Sequence, residues 1–323
     1  MAAHLKIPEG YVPSLDLRET EIAIKFIKDN FEKNLAKALN LTRVSAPLFV
    51  RPESGLNDNL NGIERPVGFD MKHIDGDSAE IVQSLAKWKR MALGRYGFEP
   101  GEGLYTDMNA IRRDEEPDNL HSIYVDQWDW EMVITREQRK LDVLQEVVRK
   151  IYGVFLETQD AVCAKYPQLD RFLSKDITFI TTQALEDKYP HMTEKERETT
   201  FTRDHGAMCL MQIGGKMRSG KIHDGRAPDY DDWALNCDIV FYYPVLECAF
   251  EVSSMGIRVD ADSLEQQLTL AGAESRRHLP FHKAVLEDRL PLTLGGGFGQ
   301  SRICMFLLGK AHVGEVQASA WPS

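Results

Sequence analysis

The sequence predicts one α+β domain whose sheet is built from antiparallel hairpins, and three observations carry that reading. Residues 110–131 read as a hairpin strand pair with Tyr124, Trp128 and Trp130 on one face and Gln127, Asp129 and Glu131, following Ile123 and Val125, on the other. Residues 238–254 repeat the design, setting Leu246, Cys248, Phe250 and Val252 against Glu247, Ala249, Glu251 and Ser253. A glycine-rich run at 295–302, ending in Arg302, opens an apolar helix through Leu308. A solvated outer face backed by two tryptophans is a poor alternative, so the polar faces read as the floor of one shared pocket.

The remaining elements follow in chain order. Residues 1–17, with Pro8, Gly10 and Pro13, read as a loose leader. From Glu19 to Leu39 the positions Ile24, Ile27, Phe31, Leu35 and Leu39 recur at helical spacing, and 43–50 reads as a strand in which Pro47 marks an edge or an interface. The Asn-, Asp- and Gly-rich stretch 56–77 is loop with one short strand, and 79–83 is a strand running into a Ser84-capped helix that carries Lys87, Lys89 and Arg90. Helices follow at 141–166, on the stripe Leu144, Val148, Ile151 and Phe155, and at 193–204, behind the capping-box pair Thr193 and Glu196. Residues 207–213 form a buried strand, 214–233 a charged glycine-rich loop, and further helices lie at 262–270 and 281–287. No repeat, low-complexity tract or linker divides the chain, which favours a single catalytic domain over 18–323.

Composition bounds the function. The 323 residues, 43% hydrophobic and 28% charged, suffice for a large core. A net charge of −11 opposes attraction to nucleic-acid backbones and to anionic membranes, so neither is expected as a partner. No run approaches the roughly 20 apolar residues of a membrane span, and the first residues lack a signal-like core, which places the chain in the cytoplasm by default. Cys163, Cys209, Cys237, Cys248 and Cys304 are scattered among apolar neighbours and read as reduced core thiols. Zinc spacing is absent, since Pro280 spoils the helical pair His278 and His282.

Several residues carry chemistry. The glycine run lets backbone approach a ligand at a helix start, where N–H groups favour anions, although a tight turn would use the same residues. Arg302 at its end can stack on a base and pair with phosphate. Asp238 and Glu251, on the two arms of the second hairpin, offer hard oxygens for magnesium, against the alternative of a solvated acidic face. Arg258 suits either a bidentate grip on a substrate carboxylate or a structural ion pair. Asp229 or Asp231 could bind an ammonium group. No nucleophile motif is present and the first cysteine is Cys163, so an amide nitrogen would have to arrive as free ammonia.

These residues resemble a known family. The words at 58–60, 83–90, 101–106, 120–131, 226–233, 250–260 and 295–302 are similar to those of ammonia-dependent asparagine synthetase, the aspartate–ammonia ligase type that looks like the catalytic core of aspartyl-tRNA synthetase. Pro47 after a long helix resembles the first class II synthetase motif, 112–131 the second and 295–302 the third. The resemblance implies a class II aminoacyl-tRNA synthetase-like antiparallel sheet flanked by helices, a homodimer, ATP with magnesium, and asparagine made from aspartate and ammonia through a β-aspartyl-adenylate, with AMP and pyrophosphate released. Carried over, Arg112 binds the α-phosphate and the carboxylate being activated, Arg302 the distal phosphates and adenine, and Asp238 with Glu251 the metal. Asp58, Ser84, Lys89, Gln127, Asp129, Asp231, Ser253, Ser254 and Arg258 surround aspartate, while Leu120 and Val125 flank the adenine. Catalysis is expected from Arg112, Asp129 and Lys89. Gln83 stands where the family often has histidine, and the stretch between Trp233 and Leu235 looks shortened.

Overall fold

The computed structural model describes residues 5–60, 62–73 and 78–321. The first four residues of the expected leader and residues 74–77 of the expected 56–77 loop lie outside them. The first half of the chain runs α1 (Leu17–Leu39), β1 (Leu41–Arg43), β2 (Phe49–Val50), β3 (Gly68–Asp70), β4 (Ser78–Ile81), α2 (Ala86–Tyr96), β5 (Gly103–Ile111), β6 (Tyr124–Val133) and α3 (Leu141–Lys165). The second half runs β7 (Thr178–Thr181), α4 (Thr182–Lys188), α5 (Glu194–His205), β8 (Ala207–Met211), β9 (Asp231–Tyr243), β10 (Cys248–Arg258), α6 (Ala261–Leu270), α7 (Pro280–Leu286), β11 (Thr293–Gly299) and α8 (Gln300–Leu307).

One 8-stranded sheet, in the order β1-β5-β6-β11-β10-β9-β8-β7, organises the molecule. Its edge strands β1 and β7 run parallel to their neighbours, and every pairing between is antiparallel. A 3-stranded sheet β2-β4-β3 stands beside it. Helices α1, α3 and α8 cover one face, where Phe31 stacks on Trp128 with ring centroids 5.1 Å apart and Phe155 meets Phe298 edge-on at 5.9 Å. Trp128 and Trp130 are fully buried there, so truncating either to alanine would cost about 3–5 kcal/mol. The opposite face of β6, β11, β10 and β9 carries the polar residues, with α2 lying across it through Lys89.

Several expectations need correcting. Residues 43–50 are two strands: β1 joins the large sheet beside β5, β2 joins β4, and the chain crosses between sheets at 44–48. Pro47, with no N–H to donate, lies within that crossing. The glycine run is the central strand β11, and the helix begins only at Gln300. The cap position of helix α2 is Leu85, one residue after Ser84, whose hydroxyl accepts from Ala86 N at 3.4 Å while donating to Asp58 Oδ2 at 2.8 Å. The strand expected at 207–213 ends at Met211. The first hairpin pairs β5 with β6, so Arg112 opens the 112–123 loop between them. The segment before α1 is strapped down: Lys6 donates from its amide to Asn119 Oδ1 at 2.8 Å and from Nζ to Leu246 O at 2.9 Å, and Leu15 is buried. Among the described residues no helix is long and apolar enough to cross a membrane.

Candidate active site

Register sets the floor of the site. Asp238, Ser254, Gly297 and Asp129 are successive partners across β9, β10, β11 and β6, so they share one face. The row of Gly256, Gly295 and Glu131 runs parallel to it two residues away. Glycine is required in β11 because its neighbours' side chains fill the space above it: a Cβ on Gly297 would lie 2.5 Å from Asp129 Oδ1, and one on Gly295 would collide with the Glu131 carboxylate. A β-bulge between Glu251 and Ser253 breaks the alternation expected for β10. Beyond it Ser253 pairs with Phe298, whose ring faces the core, and Ser254 carries the polar face instead.

Buried charge sits above this floor. Lys89 Nζ donates to Gly296 O at 2.9 Å and lies 3.2 Å from Asp129 Oδ1 and 3.9 Å from Glu131 Oε2. Burial lowers the Lys89 pKa, and the two carboxylates only partly restore it. Asp129 Oδ2 and the Ser253 hydroxyl are buried with no partner among the described residues. Glu131 accepts from Arg258 Nη2 at 2.7 Å and Nε at 2.9 Å and from the Thr293 hydroxyl at 2.7 Å. Burial alone would raise the Glu131 pKa, but Arg258 and the other donors outweigh it and hold the group below the carboxylate range. Arg258 also donates to Asp231, so its guanidinium is the hub of a buried ion-pair network. Asp229 does not line the cavity; Lys87 at 3.2 Å, Arg276 at 3.1 Å and His282 at 2.9 Å make it an internal anchor for the loop that presents Tyr230 and Asp231.

Two arginines meet carbonyls in place of close carboxylates. Arg112 Nε donates to Gln83 O at 3.4 Å. Arg302, in the first turn of α8, donates from Nη1 to Glu251 O at 3.0 Å and from Nε to Leu120 O at 3.4 Å, with Glu251 Oε1 4.0 Å away. Carbonyl dipoles leave most of each positive charge for an anion. The 112–123 loop is shaped by Asp118, whose Oδ1 accepts from the N–H groups of Leu120 and His121, both at 2.7 Å. Gln83 donates to Asp58 O at 2.9 Å, and Asp58 Oδ1 accepts from Leu60 N at 2.8 Å. The Trp233–Leu235 stretch lies inside β9.

The metal pair is asymmetric. Asp238 Oδ1 accepts from Arg226 Nη2 at 2.6 Å, while another Arg226 nitrogen donates to Ser254. Burial, opposed by Arg226 and reinforced by Glu251, pushes Asp238 up to about 7. Glu251 is half exposed to the cavity, but among the described residues no three His, Cys, Asp or Glu gather into a cage. That donor set fits a magnesium ion carried in on a polyphosphate through Glu251, and does not fit a protein-caged ion.

The residues that the sequence singled out for ligand binding line a single cavity of about 550 Å³, with Asp229 and Asp238 the exceptions. Matching this chain to known proteins, the family model described as aspartate-ammonia ligase covers residues 18–323. The chain belongs to the aspartate–ammonia ligase family. It is 66% identical over 314 residues to the aspartate–ammonia ligase of Ruminiclostridium cellulolyticum, covering 97% of this chain and 94% of that one. The Clostridium perfringens ligase is 64% identical over 317 residues, with 98% and 94% covered. Among solved structures, Entamoeba histolytica asparaginyl-tRNA synthetase superposes with a TM-score of 0.65 at 14% identity, over 93% of this chain and 67% of that one. The Pyrococcus horikoshii asparaginyl-tRNA synthetase complexed with asparaginyl-adenylate gives 0.65 at 14%, over 94% and 70%. The fold of this ligase is therefore that of the class II synthetases, as the sequence motifs imply. Cavity residues that sequence reasoning did not single out include Lys195, Asp224, Arg226 and Tyr230. Arg226 and Tyr230 sit in a quoted family word, whereas an exposed lysine in the first turn of a helix gives no signal of its own.

Proposed function

We propose that this enzyme makes L-asparagine from L-aspartate, ATP and ammonia through a β-aspartyl-adenylate, releasing AMP and pyrophosphate. The observation that carries this reading is one cavity holding Arg112 and Arg302, bound to carbonyls, together with the buried Lys89–Asp129 pair and its spare acceptor, Asp129 Oδ2. Membership of the ligase family and the asparaginyl-adenylate held by the Pyrococcus relative support it.

In this scheme an oxygen of the aspartate β-carboxylate attacks the α-phosphorus and pyrophosphate leaves. Arg112 bridges carboxylate and α-phosphate and balances the charge that builds on the equatorial oxygens. Arg302 takes the distal phosphates and lies under the adenine, which Leu120 and Val125 flank. Asp58, Ser84, Gln127 and Ser254 orient aspartate, with Asp231 and Arg258 as the rigid wall behind it. Magnesium, when bound, neutralises the polyphosphate, and Glu251 would hold it; Asp238 joins only where Arg226 releases it. The ammonia lone pair then attacks the acyl carbon, AMP departs, and Asp129 accepts the proton shed by the new amide nitrogen. Holding the reactants together supplies much of the rate.

We further propose a cytoplasmic homodimer closed across Leu48, Phe49 and Phe69, apolar side chains that are 50%, 45% and 38% exposed. Sedimentation of wild type and Phe49→Asp tests it; a monomeric wild type removes the dimer. The activity test supplies aspartate and magnesium ATP with and without an ammonium salt and separates the products. AMP and asparagine formed together, only with ammonium, are expected; ADP in place of AMP would overturn the adenylate.

A further inference from the structure

We propose that Lys195 receives the pyrophosphate leaving group at the rim of the cavity, held in position by Glu198 and His223. The proposal rests on the adenylate reading and adds the route by which the leaving group is gripped.

Lys195 lies on α5, outside all three synthetase-like motifs, yet it lines the same cavity as Arg112 and Arg302. Helix α5 is fixed against β10 beside Glu251: the Ala249 amide donates to Thr199 Oγ1 at 3.2 Å. Lys195 and Arg302 thus lie near the one carboxylate suited to a phosphate-borne magnesium ion. Two other cavity cations are otherwise engaged, since Lys89 is buried against Asp129 and Arg226 is bound to Asp238 and Ser254.

Lys195 is the solvent-exposed member of this group. Its side chain is 74% exposed and Nζ donates to Glu198 Oε2 at 3.1 Å, leaving two N–H donors. Glu198 is tied at its other oxygen to His223 Nε2 at 2.9 Å. His223 is buried and its Nδ1 has no partner among the described residues, so Nε2 is the ring atom that ties it to Glu198. The Glu198–His223 contact also joins α5 to the loop whose next residues, Asp224, Gly225 and Arg226, line the cavity. A flexible stem with a compact ammonium suits a group that must travel outwards, where a planar guanidinium suits one held still.

Titration calorimetry with magnesium pyrophosphate and, separately, AMP tests this on wild type, Lys195→Ala, Lys195→Arg and His223→Gln. Lys195→Ala should weaken pyrophosphate binding about tenfold and raise the KM for ATP, with AMP affinity, the KM for aspartate and the melting temperature unchanged. Lys195→Arg should recover most of the loss, and His223→Gln should show a smaller loss confined to pyrophosphate. Unchanged pyrophosphate binding in Lys195→Ala, or equal losses for AMP and pyrophosphate, would overturn the role of Lys195. An effect of His223→Gln on both ligands alike, or on neither, would overturn the positioning role. Products of the wild type are read first: ADP without pyrophosphate defeats the adenylate reading and this proposal with it, whereas pyrophosphate release with an indifferent Lys195→Ala defeats the proposal alone.

Discussion

Arg258 and Glu131 meet through three hydrogen bonds, at 2.7, 2.9 and 3.2 Å, although a whole strand lies between the strands that carry them. They can do so because the intervening position is Gly295, partnered to Glu131 on one side and Gly256 on the other. Removing one member of a buried pair strands the other charge. Glu131→Ala is therefore expected to lose roughly 3–5 kcal/mol in urea unfolding, and a loss below about 1 kcal/mol would show that Asp231 alone satisfies Arg258.

The same geometry makes Gly295→Ala severe. Its added methyl would collide with a carboxylate fixed by Arg258 and Thr293, so the variant should lose about 3 kcal/mol or more, or fail to accumulate. Gly153, in α3 with nothing near a prospective Cβ, is the control: Gly153→Ala should gain about 0.5–1 kcal/mol by the same measurement.

Arg112 separates chemistry from stability. Its hydrogen bond is to a carbonyl at 3.4 Å, so Arg112→Ala should melt like wild type. Turnover should nevertheless fall by about 100-fold or more, equivalent to roughly 2.7–4 kcal/mol of transition-state stabilisation. Near-normal kcat/KM would remove Arg112 from the reaction.

Asp238 gives a dependence on pH. Its folded pKa of about 7 lies above the ordinary 3.8, so between these values the folded state holds a proton that the unfolded state has released. Stability from this group therefore falls as pH rises through that window. The melting temperature of Asp238→Asn should lose less than that of wild type between about pH 4 and 7; parallel curves would show that Arg226 keeps Asp238 ionised throughout.

Long helices were the most legible part of the sequence. The stripe through Ile24, Phe31 and Leu39 gives α1 to within two residues, and that through Leu144 and Phe155 gives α3 to within one. Strand β6 reads as clearly, since aromatic and acidic residues alternate along it. What local pattern lacks is any record of partners. Residues 43–50 look like one strand because nothing in them reports that the chain changes sheets. Glycine carries no periodicity, so β11 resembles a loop until Glu131 and Asp129 are seen occupying the space above it. The bulge that turns Ser254 into the cavity is likewise fixed by pairing. The pocket residues came from family words, and Lys195 escaped because a solvated lysine in a first helical turn is ordinary.

Asn119 is a junction through which Lys6 and residues 311–313 reach the catalytic loop. Its side-chain amide donates to Lys6 O and to Ala311 O, each at 2.7 Å, and its backbone carbonyl accepts from Val313 N at 2.8 Å. A tether, support or fusion partner that tugs on residue 6 therefore delivers part of its load, through the Asn119 side chain, to the segment beginning with Arg112. Anchoring at Lys6 should alter catalysis before it alters melting, so kinetic work is best done on molecules carrying no such attachment.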